Sequence, residues 1–246
     1  MSVVAIHQPN FLPWLGFFDK MDRADVFVLL DRVQLIRRAT TTGVNILQTG
    51  RQVRLTVPVQ HVGSQNLFID EAIIQDRQRV CRKISASIRH AYSRQPHWKR
   101  FGEPIAIMLE SAPERLVDLN IALIRQLAEG LGISWQKVRR QSELHFEGRK
   151  SALMASLTRA VGGTIYLSGG HDPVAASVET ARGTAADYND PSVYQASAVS
   201  LVYQNFVHPQ YDQRTIQFVP GLSALDALVR LGPEAMQIVR RLNGRI

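Results

Sequence analysis

The chain has a single cysteine, Cys81, among its 246 residues, so it cannot form an internal disulfide. No apolar run approaches the roughly eighteen residues that a helical membrane span needs. The N-terminus also lacks the basic segment followed by an apolar stretch that marks a secretory signal. We therefore expect a soluble protein of the cytoplasm with no membrane partner.

Several motifs of common enzyme classes are absent as well. Neither a Walker A loop nor a Rossmann glycine fingerprint occurs, which argues against ordinary ATPases and dehydrogenases. The seven histidines form no His-x-x-x-His pair and no His/Cys cluster, so the sequence predicts no metal site. Ser168 lacks the preceding glycine of a nucleophile elbow and is expected to make a hydrogen bond instead. We expect no cofactor.

Acidic residues are missing from residues 77–100, which carry eight Lys and Arg residues, as many as the net charge of +8. Val80, Ile84 and Ile88 have helical spacing, which predicts a helix with a basic outer face. That face suits an acidic carrier protein or partner subunit, and RNA binding and a merely solvated surface are the alternatives. No nucleic-acid recognition motif is present. The candidate partner-binding residues are Arg79, Arg82, Lys83 and Arg89.

The pattern of apolar residues predicts an α/β fold. The run 3–6, a helix at about 14–23 and the run 26–30 form a β-α-β unit. Further strands are predicted at 51–59, 164–167, 198–206 and 216–219, and further helices at 77–94, 97–110, 114–130, 149–161, 222–231 and 233–243. This alternation favours one domain with a mostly parallel, Rossmann-like layered sheet. Residues of about 75–150 are expected to form a helix-rich insertion or subdomain.

The start of the chain is similar in shape to the nucleotidylyltransferase superfamily, in which a His-x-Gly-His loop holds nucleotide phosphates. Gly16 stands at the position of the glycine, but Trp14 and Phe17 replace the two histidines. The topology therefore fits that superfamily, whereas nucleotidyl transfer through such a loop is not expected.

Polar residues follow the predicted strands, where an open α/β sheet binds its ligands. If the strands are parallel, their carboxyl ends share one edge of the sheet. That edge would collect His7, Gln8, Asn10, Asp31, Gln34, Ser168, His171, His208 and Tyr211. The sequence therefore predicts one candidate site built from distant segments.

Three of these residues are candidates for catalysis. His7 is the first candidate for proton transfer at neutral pH. Asp31 could orient His7 or bind a substrate ammonium group, and its structural alternative is an ion pair with Arg32 or a helix cap. His208 is a second acid or base, unless Pro209 holds it as a turn residue.

The remaining candidates would bind substrate. Tyr211 could donate a hydrogen bond to a developing oxyanion, although a tyrosine at such a position is more often a packing residue. Arg37 and Arg38 could hold a carboxylate, sulfate or phosphate in a bidentate manner. Gln8, Asn10, Gln34, Ser168 and His171 complete the set. Ser223 and Asp226, by contrast, match the pattern of a helix cap.

The segment His-Gln-Pro-Asn-Phe-Leu-Pro-Trp-Leu-Gly-Phe-Phe-Asp-Lys at 7–20 resembles the start of the WbqC-like family. Shorter similar pieces follow at 55–59, 118–120, 131–133, 166–169, 208–213 and 222–226. The chain departs from the family pattern at 37–45 and at 170–173, and both departures could mark a changed substrate. The resemblance implies a role in the synthesis of surface polysaccharides or specialised metabolites.

These observations together predict an enzyme, either a transferase or a cyclising or eliminating lyase-like enzyme. Its substrate would be a small metabolite with an amine and an anionic group, free or tethered to a nucleotide or an acidic carrier protein. Acyl transfer to the amine and intramolecular displacement of sulfate or phosphate by the amine both fit. The alternative is a non-catalytic scaffold that binds an acidic carrier protein, or an RNA-binding protein.

Overall fold

The computed structural model describes residues 1–36, 39–60, 67–170 and 189–244. Its strands are β1 (Val3–His7), β2 (Val26–Leu29), β3 (Gly43–Gln48), β4 (Arg51–Thr56), β5 (Val138–Arg140), β6 (Ile165–Ser168) and β7 (Ser200–Tyr203). Its α-helices are α1 (Leu15–Arg23), α2 (Arg77–Tyr92), α3 (Glu103–Glu110), α4 (Leu116–Gly130), α5 (Ser151–Ala160), α6 (Pro191–Ala196), α7 (Ala224–Leu231) and α8 (Glu234–Asn243). No helix among these residues is long and apolar enough to cross a membrane.

Five strands form one sheet in the order β5-β2-β1-β6-β7, and every neighbouring pair is parallel. The central strand β1 is an apolar run because both of its faces are covered. Val4 and Ile6 pack with α5 and α6 on one face, while Ala5 belongs to a larger core on the other face. The larger core contains residues of α1, α2, α4 and α7. The predicted α/β layered fold is confirmed.

The structure also contains elements that the sequence pattern did not predict. β3 pairs with β4 as an antiparallel hairpin outside the main sheet. β5 joins the sheet at its edge beside β2, so the segment 75–150 contributes a strand as well as helices. The strand predicted at 216–219 is wrong, because these residues form no strand and lie in the irregular segment that precedes α7.

Candidate functional site

The carboxyl ends of the parallel strands lie at one edge of the sheet. His7 at the end of β1 is in register with Leu29 at the end of β2, and Ser168 at the end of β6 is in register with Tyr203. The residues that follow β1, β2, β6 and β7 therefore leave the sheet on the same side. This is the edge at which α/β proteins of this kind bind ligands.

The His7 imidazole packs edge-on against two aromatic rings, with centroid distances of 5.7 Å to Trp14 and 5.0 Å to Phe17. Its Nδ1 lies 3.1 Å from the backbone oxygen of Gln8. A carbonyl oxygen can only accept a hydrogen bond, so Nδ1 carries the proton in the neutral ring. Nε2 is then the nitrogen with the lone pair, as a proton acceptor requires.

Burial, and next the nearby positive charge of Lys20, lower the pKa of His7 to about 3. Lys20 is itself buried, with an exposed fraction of 3%, and its Nζ donates a hydrogen bond of 2.8 Å to the backbone oxygen of Ile6. His7 is therefore neutral at physiological pH and sits beside a buried ammonium group.

Lys20 was not among the predicted site residues, although its spacing from buried residues of α1 could have indicated it. Lys20 follows Phe17 by three positions and Gly16 by four, so the three residues share one face of α1. Both Gly16 and Phe17 are buried on that face. A lysine on a buried helix face needs a specific reason, because its charge is costly to bury.

The segment that follows His7 has a strained backbone. Leu12 has a φ of 45°, in the left-handed region, although it is not a glycine and precedes Pro13. Neighbouring segments hold this conformation, since Phe11 N–H donates to the Thr40 oxygen and the Pro13 oxygen accepts from Ala224 N–H. Such strain persists only where the surrounding structure fixes it, and it is common at functional sites.

Gln8 and Asn10 meet the turn around Thr41. The Thr41 hydroxyl lies 3.1 Å from Gln8 Oε1 and 3.5 Å from Asn10 Oδ1. Asn120 of α4 donates to the backbone oxygens of Pro9 and Thr41, at 2.8 and 2.9 Å. Thr41 and Asn120 were not among the predicted site residues, because they are distant from His7 in the sequence.

The carboxylate of Asp31 is fully buried. Its hydrogen-bond partners are Arg140 and Ser142, not the predicted His7 or Arg32. Its oxygens accept hydrogen bonds from Arg140 Nε at 2.8 Å, from Ser142 N–H at 2.9 Å and from the Ser142 hydroxyl at 2.8 Å. Arg140, rather than Arg32, is thus its ion-pair partner. Asp31 ties the end of β2 to the end of β5.

The other residues at the edge have different surroundings. Ser168 is buried, and its hydroxyl accepts a hydrogen bond from Asn189 Nδ2 at 2.9 Å. Gln34 is exposed and forms a backbone bridge with Phe68. The predicted site residues Arg37, Arg38 and His171 lie outside the described residues.

His208 and Tyr211 lie in an aromatic group next to the edge. The His208 ring is 5.6 Å from Phe206 and 5.3 Å from Phe218, between centroids. The Tyr211 hydroxyl donates to the buried Asp226 at 2.8 Å, and burial, followed by the charge of Asp226, raises its pKa well above the usual range. Tyr211 also lines a cavity of about 350 Å³ together with Phe218.

Close packing at Gly16 connects this aromatic group to His7. A Cβ at Gly16 would lie 2.6 Å from Trp14 Nε1 and 3.0 Å from Phe206 Cδ1, so only glycine leaves room for both rings. Trp14 in turn contacts His7, and Phe206 contacts His208. The rings that contact the two histidines thus both pack around Gly16.

The basic face of α2 is only partly free of acidic partners. Arg79, Arg82 and Lys83 are exposed. Arg89, however, forms ion pairs with Glu110 at 3.1 Å and with Glu103 at 4.0 Å.

Ser223, predicted as a helix cap, accepts a hydrogen bond from Leu225 N–H at the start of α7.

Among the described residues, no three His, Cys, Asp or Glu side chains are grouped so that they could hold a metal ion. The described part of the candidate site contains a neutral histidine, a buried lysine and the amide groups of Gln8 and Asn10.

Comparisons with known proteins agree with the resemblance of the opening segment. Residues 8–238 match the WbqC-like protein family. The chain is 27% identical over 243 residues to the uncharacterised protein Rv1507c of Mycobacterium tuberculosis, covering 98% of each chain. No solved structure matches significantly. Because the family match covers nearly the whole chain, the protein belongs to the WbqC-like protein family.

Proposed function

We propose that this protein is a biosynthetic enzyme that acts at an amine of a small metabolite with an anionic group. The metabolite is free or tethered to a nucleotide or an acidic carrier protein. The single observation that supports this proposal most is the neutral His7 imidazole beside the buried Lys20, at the carboxyl end of β1. This arrangement provides a proton acceptor and a positive charge at the edge where ligands bind.

In the proposed reaction, the amine nitrogen attacks an electrophilic carbon and His7 Nε2 takes a proton from that nitrogen. For acyl transfer, a C–N bond forms and the bond from the acyl carbon to its leaving group breaks. His7 then returns the proton to the leaving group. For intramolecular displacement, the same C–N bond formation breaks a C–O bond to sulfate or phosphate, and the proton passes to solvent.

In this proposal, the anionic group of the substrate raises the low pKa of His7. A histidine with a pKa of about 3 holds a proton poorly, since an effective base has a pKa near the working pH. Burial is the larger cause of this low pKa and Lys20 the second, so an anionic group that enters the site would offset the Lys20 contribution and raise the pKa of His7. The enzyme would then act on anionic amines in preference to neutral ones.

The other predicted residues have supporting roles in this proposal. Asp31 holds β2 against Arg140 and Ser142, and so positions the edge rather than moving a proton. His208 lies in the aromatic group next to the edge and remains a candidate second acid. Arg37, Arg38 and His171 remain candidates for holding the anionic group.

A second candidate function is binding of an acidic carrier protein without catalysis. The exposed side chains of Arg79, Arg82 and Lys83 favour it, because they lie together on one helix. This surface could also deliver a carrier-tethered substrate to the enzyme, in which case both proposals hold.

Thermal unfolding with a panel of compounds tests the proposed function. The panel contains nucleotide sugars, amino acids, sulfated and phosphorylated amino acids, neutral amines of similar size and an acidic carrier protein. We compare the wild type with His7→Gln, and with His90→Gln as a control because His90 is exposed on α2. A ligand at about a hundred times its Kd adds about 2.7 kcal/mol, which raises Tm by roughly 5–10 °C.

The proposal predicts that an anionic amine stabilises the wild type and His90→Gln, and stabilises His7→Gln much less. Stabilisation by neutral amines alone would contradict it. A response to the carrier protein only, equal in all three proteins, would favour the second candidate function.

A further inference from the structure

The two carboxamides that follow β1 have the same orientation relative to Thr41. Both Gln8 Oε1 and Asn10 Oδ1 face the Thr41 hydroxyl, at 3.1 and 3.5 Å. Each carboxamide carries an N–H₂ donor on the same carbon as the oxygen that faces Thr41. Gln8 and Asn10 thus bring two N–H₂ groups close to this turn.

Asn120 holds Thr41 and the segment of Gln8 and Asn10 in place. Thr41 is fully buried, and its backbone oxygen accepts a hydrogen bond of 2.9 Å from Asn120 Nδ2. The second Asn120 hydrogen bond, of 2.8 Å, holds the Pro9 oxygen between the two carboxamides. Asn120 therefore holds both segments, and the Thr41 hydroxyl keeps its place against the amide oxygens.

The Asn10 amide nitrogen has no hydrogen-bond partner. Asn10 has an exposed fraction of 1%, and its Nδ2 is enclosed without an acceptor in the described part of the chain. A buried donor without a partner costs about 1–3 kcal/mol. A buried donor of this kind, next to the edge where α/β sheets bind ligands, could be completed by a ligand oxygen.

The Gln8 residue is less buried than Asn10. Gln8 is half-buried, whereas Asn10 has an exposed fraction of 1%. Asn10 Nδ2 is enclosed in the free protein, and its hydrogen bond would form as the ligand enters. Donors at active sites commonly reach their final distances only in the bound complex.

We propose that the amide groups of Gln8 and Asn10 form a subsite for a carboxylate or acyl carbonyl oxygen, with Thr41 and Asn120 as positioning residues. The two donors are uncharged. They suit the single negative charge of a carboxylate or an acyl oxyanion, whereas sulfate and phosphate are better matched by cationic side chains.

The catalytic role of this subsite rests on the proposed function, whereas its binding of a carboxylate does not. When the amine adds to an acyl carbonyl, the carbonyl oxygen becomes an oxyanion, and both N–H₂ groups donate to it without losing a proton. The subsite therefore favours acyl transfer over displacement of sulfate or phosphate. Binding of a carboxylate at the subsite can be measured without any turnover.

The test follows the side-chain amide signals of Gln8 and Asn10 by NMR while acetate or N-acetylglycine is added to ¹⁵N-labelled protein. Sodium sulfate at equal ionic strength is the comparison anion. Three variants accompany the wild type. Thr41→Val removes the hydroxyl, Thr41→Ser keeps it, and Thr42→Val removes the hydroxyl that donates to the Ala39 oxygen in the same turn.

We expect the carboxylates to shift both amide signals in the wild type, in Thr41→Ser and in Thr42→Val. Thr41→Val should weaken binding about tenfold, the loss expected for one misdirected hydrogen bond. The inference is overturned if carboxylates leave both signals unchanged, if sulfate binds more tightly, or if Thr42→Val weakens binding as much as Thr41→Val. Carboxylate binding that depends on Thr41 supports the subsite even when no anionic amine stabilises the protein in the thermal unfolding test. Failure of the proposed function can therefore be told apart from failure of the subsite.

Discussion

The neutral state of His7 has a direct consequence for stability at acidic pH. Its pKa of about 3 in the folded protein lies well below the value of 6.5 for an exposed histidine. Between these values the unfolded chain binds the proton and the folded chain does not. The free energy of unfolding therefore falls as the pH is lowered through this interval.

We predict that His7 alone lowers the free energy of unfolding by about 1.4 kcal/mol per pH unit between pH 6 and pH 4. His7→Gln should remove this part of the pH dependence, because glutamine does not titrate. Urea unfolding of both proteins at several pH values measures the difference. Parallel pH profiles for the wild type and the variant would show that the histidine is not held neutral.

At the scale of single elements, α2 separates the two candidate functions. Arg79, Arg82 and Lys83 are exposed, and none of them forms an ion pair within the described residues. Charge reversal at these positions should change stability by no more than about 0.5 kcal/mol each. The helix remains anchored by Ile84, Ile88 and the fully buried Tyr92.

We predict that Arg79→Glu, Arg82→Glu and Lys83→Glu together leave the affinity for a small anionic amine unchanged and weaken binding of an acidic carrier protein. Calorimetry with both ligands checks this. A matched control reverses three exposed arginines elsewhere: Arg51, Arg115 and Arg149. Equal losses of carrier binding in both triple variants would show that net charge, rather than α2, is recognised.

The elements that the sequence predicted are those with strong apolar patterns. The runs 3–6 and 26–30 indicate β1 and β2 because both strands are covered on two faces. β5 was missed because Val-Arg-Arg is polar and only three residues long, and its pairing depends on β2. β3 was missed because its strand character comes from its hairpin partner β4.

The same contrast holds for the site. His7, Gln8 and Asn10 could be predicted, because one short segment contains them together with a buried strand. Thr41 and Asn120 could not, since their contacts with this segment join residues 33 and 111 positions apart. The Arg140 partner of Asp31 likewise comes from a strand that no apolar pattern indicates.

At the scale of the whole molecule, the parallel sheet brings the start and the end of the chain together. Gln204, just after β7, donates to the Gly16 oxygen at 2.9 Å and to Asp19 Oδ2 at 2.6 Å. Arg240 of α8 forms an ion pair with Asp22 of α1. The helix that carries Lys20 is thus held by the C-terminal elements, which keeps the positive charge beside His7.

An NMR titration of the His7 ring nitrogens in ¹⁵N-histidine-labelled protein tests the proposed role of His7, with His7→Gln used to assign the signal. For the free protein, we predict a neutral ring from pH 8 down to about pH 4, with the proton on Nδ1 and the lone pair on Nε2. An anionic amine bound at the site should move the midpoint of protonation upward. A free-protein midpoint near 6.5, or a proton on Nε2 in the neutral ring, would contradict the proposed role of His7.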